Sequence, residues 1–165
     1  MSQIKQFQRE LEKEAVTTRK MLSIVPNDKF DWQPHPKSMT IRQLSTHIAE
    51  LPSWIPLVLD TTELDFAANP YNPTPINDTK TLVAYFEDQL KAARAALQNA
   101  KEETLSENWT LRNGEDVYSK DPKNDVIRMT FNQVTHHRAQ LGVFLRLLNV
   151  PIPGSYGPSA DDMSF

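Results

Sequence analysis

The 165-residue chain contains no cysteine. That excludes disulfides, thiolate metal sites and a protein-borne thiol nucleophile, so any metal would have to rest on His, Gln and carboxylate donors. An excess of positive charge is also missing. The formal net charge is -3 and the pI is near 5.8, and no basic run is interleaved with aromatics, so the electrostatic footprint of a nucleic-acid binder is absent. Long apolar runs are lacking too: the longest, around Trp54 to Leu59, cannot span a bilayer. The first fifteen residues are polar with spaced apolar positions and have no signal-peptide core. These absences predict a soluble, cytoplasmic protein with neither nucleic acid nor membrane as partner. There is no internal repeat, and the length suits one domain over residues 1–165.

What the chain does have is helical periodicity. Ile4, Phe7, Leu11, Ala15, Thr18, Leu22 and Val25 recur at helical spacing among charged residues and predict a first amphipathic helix, closed by Pro26. Residues 27–40 hold Pro34, Pro36, Phe30 and Trp32, a connection expected to pack over one end of the fold. Thr40 with Gln43 forms a capping box for a second helix. There Ile41, Leu44, Ile48, Leu51, Ile55 and Val58 share a stripe, and Pro52 and Pro56 predict a kink or break just after His47. The Pro- and Asn-rich segment 60–78 reads as a mostly irregular crossover. Asp78 or Asn77 caps a third helix through Leu82, Phe86, Leu90, Ala93 and Leu97, ending near Ala100. Asn113-Gly114 is the strongest short turn signal and predicts a small hairpin within residues 109–120. A fourth helix follows from Asp125 to Asn149, stopped by Pro151, and the turn-rich tail after it cannot be helical. Four amphipathic helices with long connections predict an all-α four-helix bundle, with a small hairpin before the last helix.

The fourth helix carries the polar groups of interest. Its apolar stripe runs through Ile127, Thr130, Val134, His137, Leu141, Phe144 and Leu148, which places His137 on the seam. A histidine there either satisfies both ring nitrogens inside a core or coordinates something. Gln133, four residues earlier, shares its face. His47 on the second helix is the third polar group expected to converge between helices. Three neutral donors with open positions suit Zn, Ni or another divalent first-row ion and leave room for water or substrate. A second arrangement pairs His47 with Glu50, three residues on. His35 and His136 read as surface or supporting residues, and Arg138 either orients a ligand with Gln140 or is an ordinary solvated charge. The three tryptophans read as core or interface anchors.

Three stretches together resemble the DinB-like (DinB/YfiT-like) family. They are residues 132–140 with Gln133, His136, His137 and Arg138; residues 30–34 followed by 38–50 with Trp32, Thr40 and His47; and the ending 152–162. The resemblance covers most of the chain in order. It implies an up-up-down-down four-helix bundle, bacterial origin, homodimerisation and a divalent ion held by three histidines. Carried over residue by residue, the ligands are His47, Gln133 and His137. Gln133 is the departure, since an amide oxygen is a harder and weaker donor than imidazole; the resemblance therefore implies either a weakened Zn or Ni site or one without metal. It further implies a metal-dependent thiol S-transferase or hydrolase acting on a small molecule such as a low-molecular-weight thiol, with Glu50 and Asp161 as the available general bases and Tyr156 with Asp161 lining the open end. The alternative is a non-catalytic, dimeric stress-response or small-molecule-binding protein with a degenerate metal site.

Overall fold

A computed structural model describes residues 2–164. Among them are five α-helices and one three-stranded mixed sheet. The all-α expectation is thereby overturned: the chain is a mixed α and β protein. Helix α1 spans Gln3–Ser23, α2 Ile41–Glu50, α3 Trp54–Asp60, α4 Thr79–Asn99 and α5 Lys123–Leu147; strands β1, β2 and β3 span Glu63–Asp65, Asn108–Asn113 and Asp116–Pro122.

The helices form where caps and stripes dictate. Thr40 accepts from the Gln43 N–H at 3.2 Å while the Gln43 side chain accepts from the Thr40 N–H at 2.9 Å, closing the capping box of α2. Pro52 has no N–H to offer the Ile48 carbonyl, so α2 stops at Glu50 and a 3-10 turn, Leu51–Ser53, leads into α3. Asp78 caps α4 through the Thr81 N–H at 2.8 Å. Helix α1 packs on α4 and α5, and α2 and α3 pack on the same two helices. Their stripes meet in one core that includes Phe7, Leu22, Ile48, Phe86, Leu90, Ile127 and Leu141. At about 25 cal/mol per Å² of apolar area removed from water, such burial is the main term holding the helices together.

The sheet is where the fold departs from expectation. Strands β2 and β3 make the anticipated hairpin, with Gly114 at φ 61° in its turn, but its register is broken by an irregularity between Leu111 and Arg112. Strand β1, from the crossover expected to be irregular, pairs parallel with β2, Leu64 opposite Leu111. Asp65 fixes this pairing: one carboxylate oxygen accepts from the Gly114 N–H at 2.9 Å and the Ala67 N–H at 2.9 Å, while the other lies 2.8 Å from the Arg112 guanidinium. The hairpin is seated on the helices by Trp109, only 1% exposed, whose Nε1–H donates to the Thr61 hydroxyl at 2.9 Å. A lone hairpin is marginal in water; the third strand and the helical surface supply what it lacks.

Candidate functional site

The apolar seam of α5 does not pass through His137. The buried positions of α5 are Lys123, Val126, Ile127, Thr130, Phe131, Val134, Arg138, Leu141, Gly142 and Leu145. Arg138, 2% exposed, takes the inward position, and His137 is turned about 100° to the half-buried flank facing α2. Arg138 is not a solvated charge. Its guanidinium lies 2.7 Å from the Glu14 carboxylate of α1 and donates to the Thr18 hydroxyl at 3.0 Å and the Tyr156 hydroxyl at 3.1 Å.

On the α2 flank the structure brings His47 and His137 together. Their ring centroids are 4.7 Å apart and the rings meet edge-on at 79°. Each ring is tethered by one nitrogen. The Glu50 carboxylate accepts from His47 Nδ1 at 2.7 Å, and the Gln140 amide oxygen accepts from His137 Nδ1 at 2.9 Å. A neutral imidazole that donates from Nδ1 keeps its lone pair on Nε2, the arrangement in which an acceptor behind a histidine sets its tautomer and orientation for ligation. Burial pushes the His137 pKa below its ordinary value; the Gln140 bond opposes this, and the neighbouring His47 and His136 rings add to it. His137 is therefore a neutral donor at neutral pH.

The remaining candidates are distributed as follows. Gln133 sits half-buried one turn before His137 on α5, with no hydrogen bond to either histidine. His136 is exposed, its ring centroid 4.8 Å from that of His137. Glu50 is buried against His47. Asp161 lies in the tail, where Arg146 and the Ile152 N–H at 3.0 Å engage its carboxylate, so it is not brought to the histidines. Tyr156 is likewise committed, donating to Glu14 at 2.8 Å and sharing a 2.9 Å bond with Thr135. His35 is exposed and accepts from the Lys37 N–H.

One participant had no signal in the sequence. Tyr71, from the Pro- and Asn-rich crossover, donates its hydroxyl to the same Glu50 oxygen that holds His47, at 2.8 Å. Local desolvation of its hydroxyl and the Glu50 carboxylate both push the Tyr71 phenol above its ordinary range, although the residue as a whole is exposed. Tyr71 also walls a cleft of about 570 Å³ that opens beside His47 between residues 37–47 and 71–75. A larger cavity, about 680 Å³, lies between α5 and the tail. It holds no imidazole, so the smaller cleft is the one next to donor chemistry.

Whether the residues present suit a divalent ion turns on the donor set. Two tethered imidazoles with free Nε2 atoms suit a first-row ion. Among the described residues no group of three His, Asp or Glu side chains is placed to hold one. Gln133, the third donor expected from the sequence, lies half-buried on α5 one turn before His137.

A family-wide sequence profile described as the DinB family matches residues 1–164. An uncharacterised Bacillus subtilis protein, YrdA, is 22% identical over 160 residues, covering 94% of this chain and 89% of its own. Among solved structures, a DinB-like protein from Bacillus subtilis superposes with a TM-score of 0.70 at 17% identity, covering 91% of this chain and 96% of its own. One from Bacillus cereus gives 0.68 at 22% identity, covering 93% and 99%. A mycothiol-dependent maleylpyruvate isomerase gives 0.61 at 15% identity, covering 84% of this chain and 60% of its own. At these identities the superpositions establish the fold. No helix among the described residues is long and apolar enough to cross a membrane.

Proposed function

Because the chain belongs to the DinB family, we propose that it is a divalent-metal-dependent enzyme of thiol chemistry, a transferase or hydrolase acting on a small molecule. The observation that carries this reading is the His47–His137 pair, contributed by two different helices, edge-on at 4.7 Å, each with Nδ1 tethered and Nε2 free. The structural likeness to a mycothiol-dependent isomerase supports thiol chemistry over other uses of such a pair. A divalent ion bound there, Zn or Ni by its donors, would supply a Lewis acid that lowers the pKa of a thiol or water at neutral pH. The chain's own residues do the rest. Glu50 and Gln140 hold the two imidazoles in their donor tautomers, Gln133 fills or gates a third position, and the cleft beside His47 admits the small molecule. Tyr71 donates to the Glu50 oxygen that also holds His47.

A second reading, a non-catalytic binding protein with a degenerate metal site, is favoured by one observation: glutamine stands at position 133, and among the described residues no group of three His or carboxylate side chains could hold a metal. Elemental analysis of untagged protein prepared without chelator separates the two, run beside the His47→Ala, His137→Ala double variant. The enzyme reading expects near-stoichiometric metal that vanishes in the variant, and tighter Zn or Ni binding by calorimetry for Gln133→His. No uptake of Zn, Ni or Mn by the parent would refute it and leave the binding reading.

A further inference from the structure

Residues 67–75 run over the outside of the molecule. Every one of them is exposed, between Asp65 at 8% and Ile76 at 1%. Both ends are fastened. The Asp65 carboxylate holds the Gly114 and Ala67 N–H groups, and Asn69 turns back onto the Asp65 carbonyl through its N–H at 2.8 Å and its side-chain amide at 3.2 Å. At the other end the Arg42 guanidinium engages the Ile76 carbonyl and the Asn77 side chain. Between these points Pro70, Pro73 and Pro75 have no N–H to give and stiffen the chain. Residues 70–75 thus form a short strap anchored at its two ends.

A single hydrogen bond among the described residues ties the middle of this strap to the helices: the Tyr71 hydroxyl donates to Glu50 Oε1 at 2.8 Å. Tyr71 as a whole is 60% exposed and Glu50 is 9% exposed, so the phenol reaches inward from a surface segment to a carboxylate largely out of water. The same oxygen accepts from His47 Nδ1 at 2.7 Å. A carboxylate in such a place needs its donors, because an unmade bond to a buried charge is costly. When the strap lifts, Glu50 loses one of the two donors on that oxygen and either draws harder on His47 or turns toward water. Both change the bond that sets the His47 ring. The strap is also one wall of the cleft beside His47, through Tyr71, Pro73, Thr74 and Pro75. His137 has no part in this, since its Nδ1 is held by Gln140 of α5.

From one carboxylate oxygen shared by a strap residue and a histidine, we propose that Tyr71 is a positioning residue for His47 and the latch of a movable cleft wall. Opening of the strap and reorientation of His47 are then one event: a small molecule that enters the cleft and displaces Tyr71 also alters the imidazole at its edge. The latch belongs to the metal-free chain. Its bearing on chemistry rests on the proposed function, in which His47 carries the ion.

The test is NMR on the full chain, treated with EDTA, comparing the parent with Tyr71→Phe, which keeps the ring and deletes the donor. Backbone order parameters at positions 71, 72 and 74, expected at about 0.85 while latched, should fall below about 0.6 in the variant. The ring-nitrogen signals of His47 should shift and those of His137 should stay. Glu50→Ala should free the strap to the same extent, and adding Tyr71→Phe to it should change the strap no further, because the hydroxyl acts through that carboxylate. Zn affinity by calorimetry should fall about three- to tenfold in Tyr71→Phe, toward the low end of what partners behind a ligand contribute. A strap already mobile in the parent, a strap unchanged in Tyr71→Phe, an unmoved His47, or equal shifts at His47 and His137 would each overturn the latch. So would further loosening in the double variant. A parent that takes up no Zn refutes the proposed function alone, since the order parameters and ring signals are read without metal. Zn uptake by the parent with unaltered spectra in Tyr71→Phe sinks the latch alone.

Discussion

Replacing Arg138 should be among the most damaging single changes in the chain. Its side chain is 2% exposed and that of Glu14 is 12% exposed, so both charges are largely out of water. They are compensated by each other at 2.7 Å, by Thr18 at 3.0 Å and by Tyr156 at 3.1 and 2.8 Å. Arg138→Met keeps much of the apolar stem but strands the Glu14 carboxylate in a space too dry to solvate it. Removing one partner of a buried pair costs about 3–5 kcal/mol. At roughly 2–4 °C per kcal/mol for a chain of this length, the Tm should fall by about 6–20 °C. Glu14→Gln leaves the guanidinium without its counter-charge and should be destabilising too. The double variant should be better than the sum of the singles by more than about 0.5 kcal/mol, since neither charge is then left alone. Urea unfolding of the four proteins measures all three terms. A cost under about 1 kcal/mol for Arg138→Met, or singles that add within about 0.3–0.5 kcal/mol, would show that water reaches the pair and that the buried-charge account is wrong.

Three further outcomes bear on the sheet and its seat. Backbone N–H bonds, that of Gly114 first, and the Arg112 guanidinium hold the Asp65 carboxyl below the ordinary carboxylate range. Its folded pKa lies below its unfolded one, so the stability it contributes is complete above about pH 3.9 and is lost as pH falls through the depressed folded value. The gap in urea midpoint between the parent and Asp65→Asn should accordingly narrow as pH falls below about 3.9, and a gap independent of pH would contradict this. Gly114→Ala meets no atom closer than the Ala67 Cβ at 3.9 Å but must hold φ 61°, so it should cost about 1–2 kcal/mol by conformation alone. Trp109→Ala empties a site that is 1% exposed and deletes the bond to Thr61, which predicts a loss of about 3–5 kcal/mol in equilibrium unfolding. A loss below about 1 kcal/mol would mean the hairpin is not seated through that ring.

What the sequence could show is set by how local each determinant is. The Thr40–Gln43 capping box, the Asp78 cap and the proline break after α2 involve residues within a few positions of one another, and each element begins or ends where those residues require. The turn at Gly114 is equally local. Strand β1 is not: three residues in a Pro- and Asn-rich crossover become a strand only because β2, some 47 positions later, offers an edge and Asp65 caps the distant turn. That long-range pairing is why an all-α architecture looked sufficient. Tyr71 was hidden for the same reason, since its role comes from Glu50, 21 residues away.

The misplacement of the α5 seam is more instructive, because the error lies between neighbouring positions. From Val134 a helical stripe can continue three residues on, at His137, or four on, at Arg138, and residue chemistry argues for the histidine. The deciding fact is Glu14, 124 positions away in sequence, whose buried carboxylate pulls the guanidinium inward. Turning α5 to bury Arg138 against α1 swings His137 about 100° the other way, toward α2 and His47. The ion pair and the histidine pair are thus two consequences of one helix rotation: a charge that must be neutralised on one flank presents a free Nε2 on the other. Arg138, for which the sequence left a solvated charge open, is the residue that aims its neighbour.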